Sequence, residues 1–340
     1  MIRRLLLLIP VLIGVSLIAF FITRAAADPW ISYAQGDPSR MTPLQIDLIK
    51  EKYHLNDPLY SQYYYWLDSL FHGNLGWSKE AHMFVTDAIA QKFPATFELA
   101  MISTIMAVLF GIFLGTKSAV KANSVTDQLS RTMSLVGVSI PVFWLGLILV
   151  WVFFAQLHWL PQFGPYNLTN VDLALRYETM NHYTGFLLID TLLNGDLEFF
   201  YDHLLHLILP AITLAFASTA ILIRMMRSSM LEVLSSEYVK AARAKGLPEN
   251  VVIKRHARRN AMIPTTTVIG LTFGGLLGGA VLTETVFQWN GIGQWSAKAA
   301  VGVDTPAIMG FTLITALIYV LANLVVDVVY AYLDPRVRLG

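Results

Sequence analysis

Cysteine is absent from the 340 residues, which excludes disulfides, thiol nucleophiles and thiolate metal sites. Charge is scarce as well. Asp, Glu, Lys and Arg make up 14% of the chain, against about 25% in soluble domains. A chain this poor in charge, 55% hydrophobic and with a mean hydropathy of +0.56, needs a solvent other than water. Neither an HExxH pattern nor a GxSG pattern with a partner Asp occurs, which argues against an intramembrane enzyme.

What is present is a set of long apolar runs. A membrane-crossing helix takes about 20 apolar residues at about 1.5 Å rise. Six runs qualify: Leu5–Phe21, Leu99–Thr116, Met133–Phe154, Leu204–Ile223, Thr267–Leu282 and Ala307–Tyr330. The expectation is an all-α polytopic membrane protein with six transmembrane helices. The first run, within residues 1–23, follows Arg3 and Arg4 and precedes an Ala-rich stretch at Thr23–Asp28. A signal peptide shares that outline, but the run is long for one, so a retained anchor is expected.

Basic residues orient such a chain, because Lys and Arg favour the cytoplasmic side. With the N-terminus inside, the inner segments hold sixteen of the 24 basic residues and six acids, while the remainder holds eight and seventeen. Both termini, including the tail 336–340, are therefore expected in the cytoplasm. Two outer segments are long. Residues 24–98 form an extracytoplasmic subdomain that contains Thr42-Pro43 before LQIDLIKEKY, an N-capped helix with Pro in its first turn. Residues 156–203 form an outer insert whose apolar piece, Thr184–Leu193, is too short to span. Trp66, Trp77, Trp159, Phe199, Phe200 and Tyr201 fit an interfacial aromatic belt and fit outer cores equally well. Asn167-Leu168-Thr169 has the pattern of a glycosylation acceptor.

The cytoplasmic loop, residues 229–264, is the most informative segment. Ser236 stands as an N-cap, with Glu237 in the first turn. Ala241, Ala242 and Ala244 favour helix, and Gly246 suits the left-handed stop after Lys245. Pro248 opens a second helix that carries Lys254, Arg255, Arg258 and Arg259 and ends by Pro264. Tyr238, Ala241, Ala242 and Lys245 fall at i, i+3, i+4 and i+7 and share a face. A solvated basic loop explains the charge; the double cap and the alanines point to a surface that another protein approaches closely.

These residues carry a resemblance. Ala241–Gly246 (AARAKG) with Arg259–Pro264 (RNAMIP) resembles the EAA loop of binding-protein-dependent ABC importer permeases, most closely the dipeptide/oligopeptide permease family. Arg224–Glu232, Glu284–Phe287 with Gly291–Gly293, and Asp327–Arg338 resemble further motifs of that family, and the likeness covers essentially the whole chain. Lys240 stands where the loop's acid is usual, Asn290 replaces a proline, and the interval from Gly246 to Pro264 is long. The outer insert around Thr184–Thr191 leans towards the dipeptide subgroup.

The resemblance implies a type I ABC importer-like permease domain over 99–335. It implies a coupling helix in which Glu237, Tyr238, Lys240, Ala241, Ala242, Arg243, Lys245 and Gly246 meet a cytoplasmic ATPase. No G-x-x-x-x-G-K-[ST] phosphate cradle occurs, so the chain is expected to be a transport subunit and not an enzyme, without a cofactor or metal of its own. ATP and Mg would sit on two partner ABC ATPase subunits. A second homologous permease and an extracytoplasmic solute-binding protein complete the expected partners in the lipid bilayer, and nucleic acid is not among them. The expected cargo is di- or oligopeptide; nickel chelates, glutathione and oligosaccharides are alternatives, and an ATP-independent channel is the alternative of another class. Gly270, Gly274, Gly275, Gly278 and Gly279 suit either helix packing or a moving pathway. Glu284 and Asp327, with Glu98 and His206, are ionisable groups near membrane depth and so candidates for a gate or substrate path.

Overall fold

The computed structural model describes residues 2–26, 28–33 and 40–333. The side chain of Asp327 and the tail 336–340 lie outside the described residues. The chain divides into two compact units, Met1–Thr96 with Asn290–Ile318 and Phe97–Trp289 with Tyr319–Gly340.

In the first unit, α1 (Ile2–Ala26) precedes three short helices, α2 (Trp30–Tyr33), α3 (Pro43–Lys52) and α4 (Leu59–Phe71). α3 begins in a capping box: Gln45 N donates to Thr42 Oγ1, and Thr42 N donates to Gln45 Oε1. Ser16 of α1 hydrogen-bonds Tyr63 of α4 at 2.8 Å, and Arg24 Nε donates to Gln62 at 3.1 Å. A two-residue hairpin, β1 (Trp77–Ser78) and β2 (Met83–Phe84), then leads into the long α5 (Val85–Val120). Val85 and Ala88 bury against Ile292, Trp295 and Ala299 of α15 (Ile292–Val301) and Ala307 of α16 (Thr305–Leu333).

A buried carboxylate ties these pieces together. Asp304 accepts from Ser78 Oγ (2.6 Å), from Glu80 N (3.0 Å) and, at the start of α16, from Ala307 N (3.2 Å). Trp295 Nε1 donates to the same Ser78 hydroxyl. Every acceptor site used here is shielded from water, so each missing partner would leave a costly orphan.

The second unit is built on α10 (Leu197–Leu234), whose buried residues run from Phe199 to Met230. Small residues let its neighbours approach. A Cβ placed on Gly111 of α5 would lie 2.5 Å from Leu222 Cβ. One on Gly115 would lie 2.7 Å from Met226 Cβ and 2.9 Å from the Ile223 carbonyl, and one on Gly137 of α6 (Val125–Ser139) 2.6 Å from Ala220 Cβ. α7 (Val142–Leu149) continues as a π-helical stretch over Val150–Gln156.

The expected span Met133–Phe154 is not one straight helix. Val125–Ser139 and Val142–Gln156 meet at 104°. Pro141 is the cause: its ring pushes the preceding residue out of the helical region, and Ile140 adopts φ −81°, ψ 127°. Two other expected spans are longer than predicted. α5 starts at Val85 and α10 at Leu197, where Asp196 accepts from Phe199 N, so the segments 24–98 and 156–203 both end inside helices. At about 1.5 Å per residue these helices exceed the bilayer core. By length and composition four described helices, or five counting the bent pair as one, can cross a membrane; residues 9–25 of α1 form a shorter apolar helix.

The insert holds α8 (Val171–Thr179) and α9 (Leu187–Leu193). Its core is Tyr166, Leu173, Leu187 and Phe199, so Phe199 belongs to a core and not to a belt. Arg176 gathers Asp172, Asp196 and Glu198, which hold its guanidinium well above the usual arginine range. Asn167 Oδ1 accepts from Thr169 N and Oγ1 in a local turn.

Candidate docking site

The basic loop folds as a helical hairpin. α11 (Glu237–Ala244) starts at Ser236, but the serine does not cap it: its hydroxyl turns back to the Val233 carbonyl at 2.6 Å. The C-terminus follows the expected chemistry. Gly246 takes φ +75°, a value open to glycine. Gly246 N donates to Arg243 O and Leu247 N to Ala242 O, the two bonds of a Schellman stop. Arg243 then grips Glu249 with both Nε (3.1 Å) and Nη2 (2.7 Å). Asn260 donates to the Tyr238 hydroxyl at 2.8 Å.

Beyond Pro248 the expected second helix does not end by Pro264. α12 (Glu249–Val251), a π-helical stretch (Val252–Ala257) and α13 (Arg258–Gly279) follow without a break, with Pro264 inside α13. The expected shared face of α11 is also redrawn. Val239 and Ala242 are buried, packed on Val252 with Val233 and Leu234 beside them. Ala242 is 7% exposed; Glu237, Tyr238, Lys240, Ala241, Arg243, Lys245 and Gly246 are exposed. The reason is helical geometry: 239 and 242 are three residues apart and form the apolar stripe. Alanine fits close approach to its own chain as well as to a partner.

Elsewhere, the glycines of α13 divide. A Cβ on Gly270 would collide with the Val326 side chain, and one on Gly274 would lie 3.2 Å from Ala322 Cβ, whereas Gly275 meets nothing within 4 Å. Gly278 and Gly279 close the helix. Glu284 is fully buried in α14 (Val281–Val286). Glu98 is bound by His203 Nε2 (3.0 Å) and Leu188 N (2.9 Å), and the His203 ring stacks on Trp289. His203 Nδ1 faces the Pro165 carbonyl, so both ring nitrogens meet acceptors. His206 bonds within its own helix to the Asp202 carbonyl.

One assembly escaped sequence reasoning. Asp127 of α6 is fully buried and accepts from Arg227 Nε (2.6 Å) and Nη2 (2.9 Å), Ser118 Oγ (2.5 Å) and Asn123 N (2.9 Å). It joins α5, α6 and α10, with Arg227 two residues before the loop begins. The signal available was an acid three residues after Ser124 at a helix start, and an arginine one hundred residues later that follows a long apolar run in α10.

Long apolar helices closed on one another through glycines, with most of the charge near their ends and in the loops, define a multi-pass integral membrane protein. Residues 107–339 match the family described as binding-protein-dependent transport system inner membrane component, and residues 1–100 match its N-terminal companion. The chain belongs to this family of transporter permeases. It is 43% identical over 333 residues to the probable D,D-dipeptide transport system permease protein DdpB of Escherichia coli K12, covering 98% of this chain and 95% of that one. It is 42% identical over 336 residues to the di/tripeptide transport system permease protein DppB of Pseudomonas aeruginosa UCBPP-PA14, covering 99% and 97%. Among solved structures, an inward-facing MetNI methionine ABC transporter chain matches with TM-score 0.51 and 13% identity, over 73% of this chain and 96% of that one. That likeness concerns the fold.

Proposed function

We propose that this chain forms half of the translocation pathway of an ATP-driven importer for di- and oligopeptides. The observation that carries the reading is near-complete similarity to permeases named for dipeptide and di/tripeptide transport, joined to a rigid basic hairpin with one packed and one open face. On this reading an external solute-binding protein delivers the cargo, and a second permease supplies the other half of the pathway. Two ATPases, which hold the ATP and Mg, grip α11 from the cytoplasm. Six spans, with α1 and the bent α6–α7 pair each counted as one, put both termini inside, and residues 24–98 then form an outer subdomain.

The division of labour in the hairpin follows from burial. Glu237, Lys240, Ala241, Lys245 and Gly246 present the contact surface. Val239 and Ala242 position α11 on Val252, and the Tyr238–Asn260 and Arg243–Glu249 pairs keep it from pivoting. Glu284 and Asp327 stay candidates for the pathway.

The test is uptake of labelled dipeptide into vesicles holding the complete transporter with its binding protein. ATP-dependent accumulation supports the proposal; equilibration without ATP would indicate a channel. Competition by glutathione, a nickel chelate or an oligosaccharide, with no effect of dipeptide, would reassign the cargo. Within that assay Ala241→Trp lowers uptake about tenfold, the scale of a central interface residue, while the permease still inserts. Ala242→Trp is the less informative variant, since it also unseats α11 from its own chain.

A further inference from the structure

A groove of about 440 Å³ lies between the end of α5 and the π-helical stretch with the start of α13. Its two ends differ in chemistry. Val108 to Phe113 give an apolar wall, with Leu109 64% and Phe113 53% exposed. One helical turn further on, Lys117 stands in the last turn of α5 with its ammonium over the Phe113 ring at 4.2 Å. Lys254 and Arg258, four residues apart and exposed, face the groove from the other side. Among the described residues none of these three cations has a carboxylate partner. Thr116, beside Lys117, has a hydroxyl without a hydrogen-bond partner.

We propose that this groove holds an anionic phospholipid, its acyl chain along Val108–Phe113 and its phosphate among Lys117, Lys254 and Arg258. Three observations converge. The apolar wall lies on a helix long and apolar enough to cross a membrane. The cations begin where that wall ends, the order in which a lipid changes from tail to headgroup. The cations also come from two separate elements and meet at one groove, which a diffuse preference for basic residues on one side does not require. Basic pockets between membrane helices recognise such headgroups through the same combination of charge and apolar contact.

The π-helical stretch gives the site a second consequence. Val252 faces α11, while Ile253 and Lys254 line the groove. A lipid seated there braces the turn that supports α11.

The experiment is native mass spectrometry of the complete transporter, with lipid occupancy counted per intact complex. Phosphatidylglycerol, phosphatidylcholine and glycerol 3-phosphate are the probes. Phosphatidylglycerol is expected to be retained and the other two not. Lys117→Gln and Lys254→Gln each lower its retention roughly fivefold, the scale of one cation at a membrane surface. Arg255→Gln, exposed but outside the groove lining, leaves retention unchanged, and Arg258→Lys keeps most of it. Equal losses in Lys254→Gln and Arg255→Gln would overturn the proposal in favour of general surface charge. Retention of glycerol 3-phosphate would make the site one for a soluble anion. Unchanged retention in Lys117→Gln and Lys254→Gln, or a photo-crosslinker at position 117 capturing the second permease instead of lipid, would also overturn it.

Discussion

Two alanines side by side show how much a single residue's setting decides. Ala241 is open and Ala242 is closed against Val252, yet their chemistry is identical. The same holds for glycine. Gly115 stands 2.9 Å, measured from a hypothetical Cβ, from a backbone carbonyl that has no rotamer to yield. Gly115→Ala is therefore expected to cost about 2 kcal/mol of stability through overpacking. Gly275→Ala, with nothing within 4 Å of the added carbon, gains up to about 1 kcal/mol from helix propensity. Thermal unfolding midpoints of the two purified variants should move in opposite directions; a shared direction would contradict the packing described around α5 and α13. At this scale the sequence was half legible. The positive φ of Gly246 could be read from its place after a helix, because only local backbone physics is involved. The burial of Ala242 could not, because it depends on Val252, ten residues on and across a turn.

Single buried polar groups can join whole elements. The junction of α5, α6 and α10 turns on Asp127, a fully buried carboxylate answered by Arg227 from one hundred residues away. Without Arg227 the buried carboxylate keeps Ser118, Asn123 N and the half-exposed Arg131 but loses its two-pronged charge partner. Arg227→Ala is expected to destabilise the permease by about 3 kcal/mol, whereas a double change to apolar residues of similar volume, Asp127→Leu with Arg227→Met, recovers most of that loss. Unfolding followed by intrinsic tryptophan fluorescence in detergent measures both; additive losses would mean that the two side chains act separately. The long helices are legible as apolar runs, since burial in lipid writes itself into composition. Helix ends and the break at Ile140–Pro141 were harder. A membrane run conceals where a helix continues into water, and a proline can sit inside α10 or α13 without breaking it yet turn the chain by 104° between α6 and α7.

For the whole molecule, the uneven distribution of basic residues is the strongest statement the sequence makes. On the proposed reading it puts the hairpin and both termini on the cytoplasmic side. Because the chain has no cysteine, a single introduced thiol reports its location without background. Lys245→Cys is expected to react with an impermeant maleimide only in inverted vesicles or after permeabilisation, and Tyr60→Cys, at an exposed position of α4, in intact right-side-out ones. The reverse pattern would invert the topology and remove the hairpin from any cytoplasmic motor. What the sequence withheld at this scale is assembly, since a partner's footprint leaves no periodicity of its own; only the loop motif and the shared family hinted at one.

The unbroken path from Glu249 to Gly279 has a mechanical corollary. A flexible tether at Pro264 would have soaked up any tug on the hairpin; a continuous rod delivers it to the far end. The one departure from α geometry along that rod is the widened turn at Val252–Ala257, next to the packing of Val252 on α11.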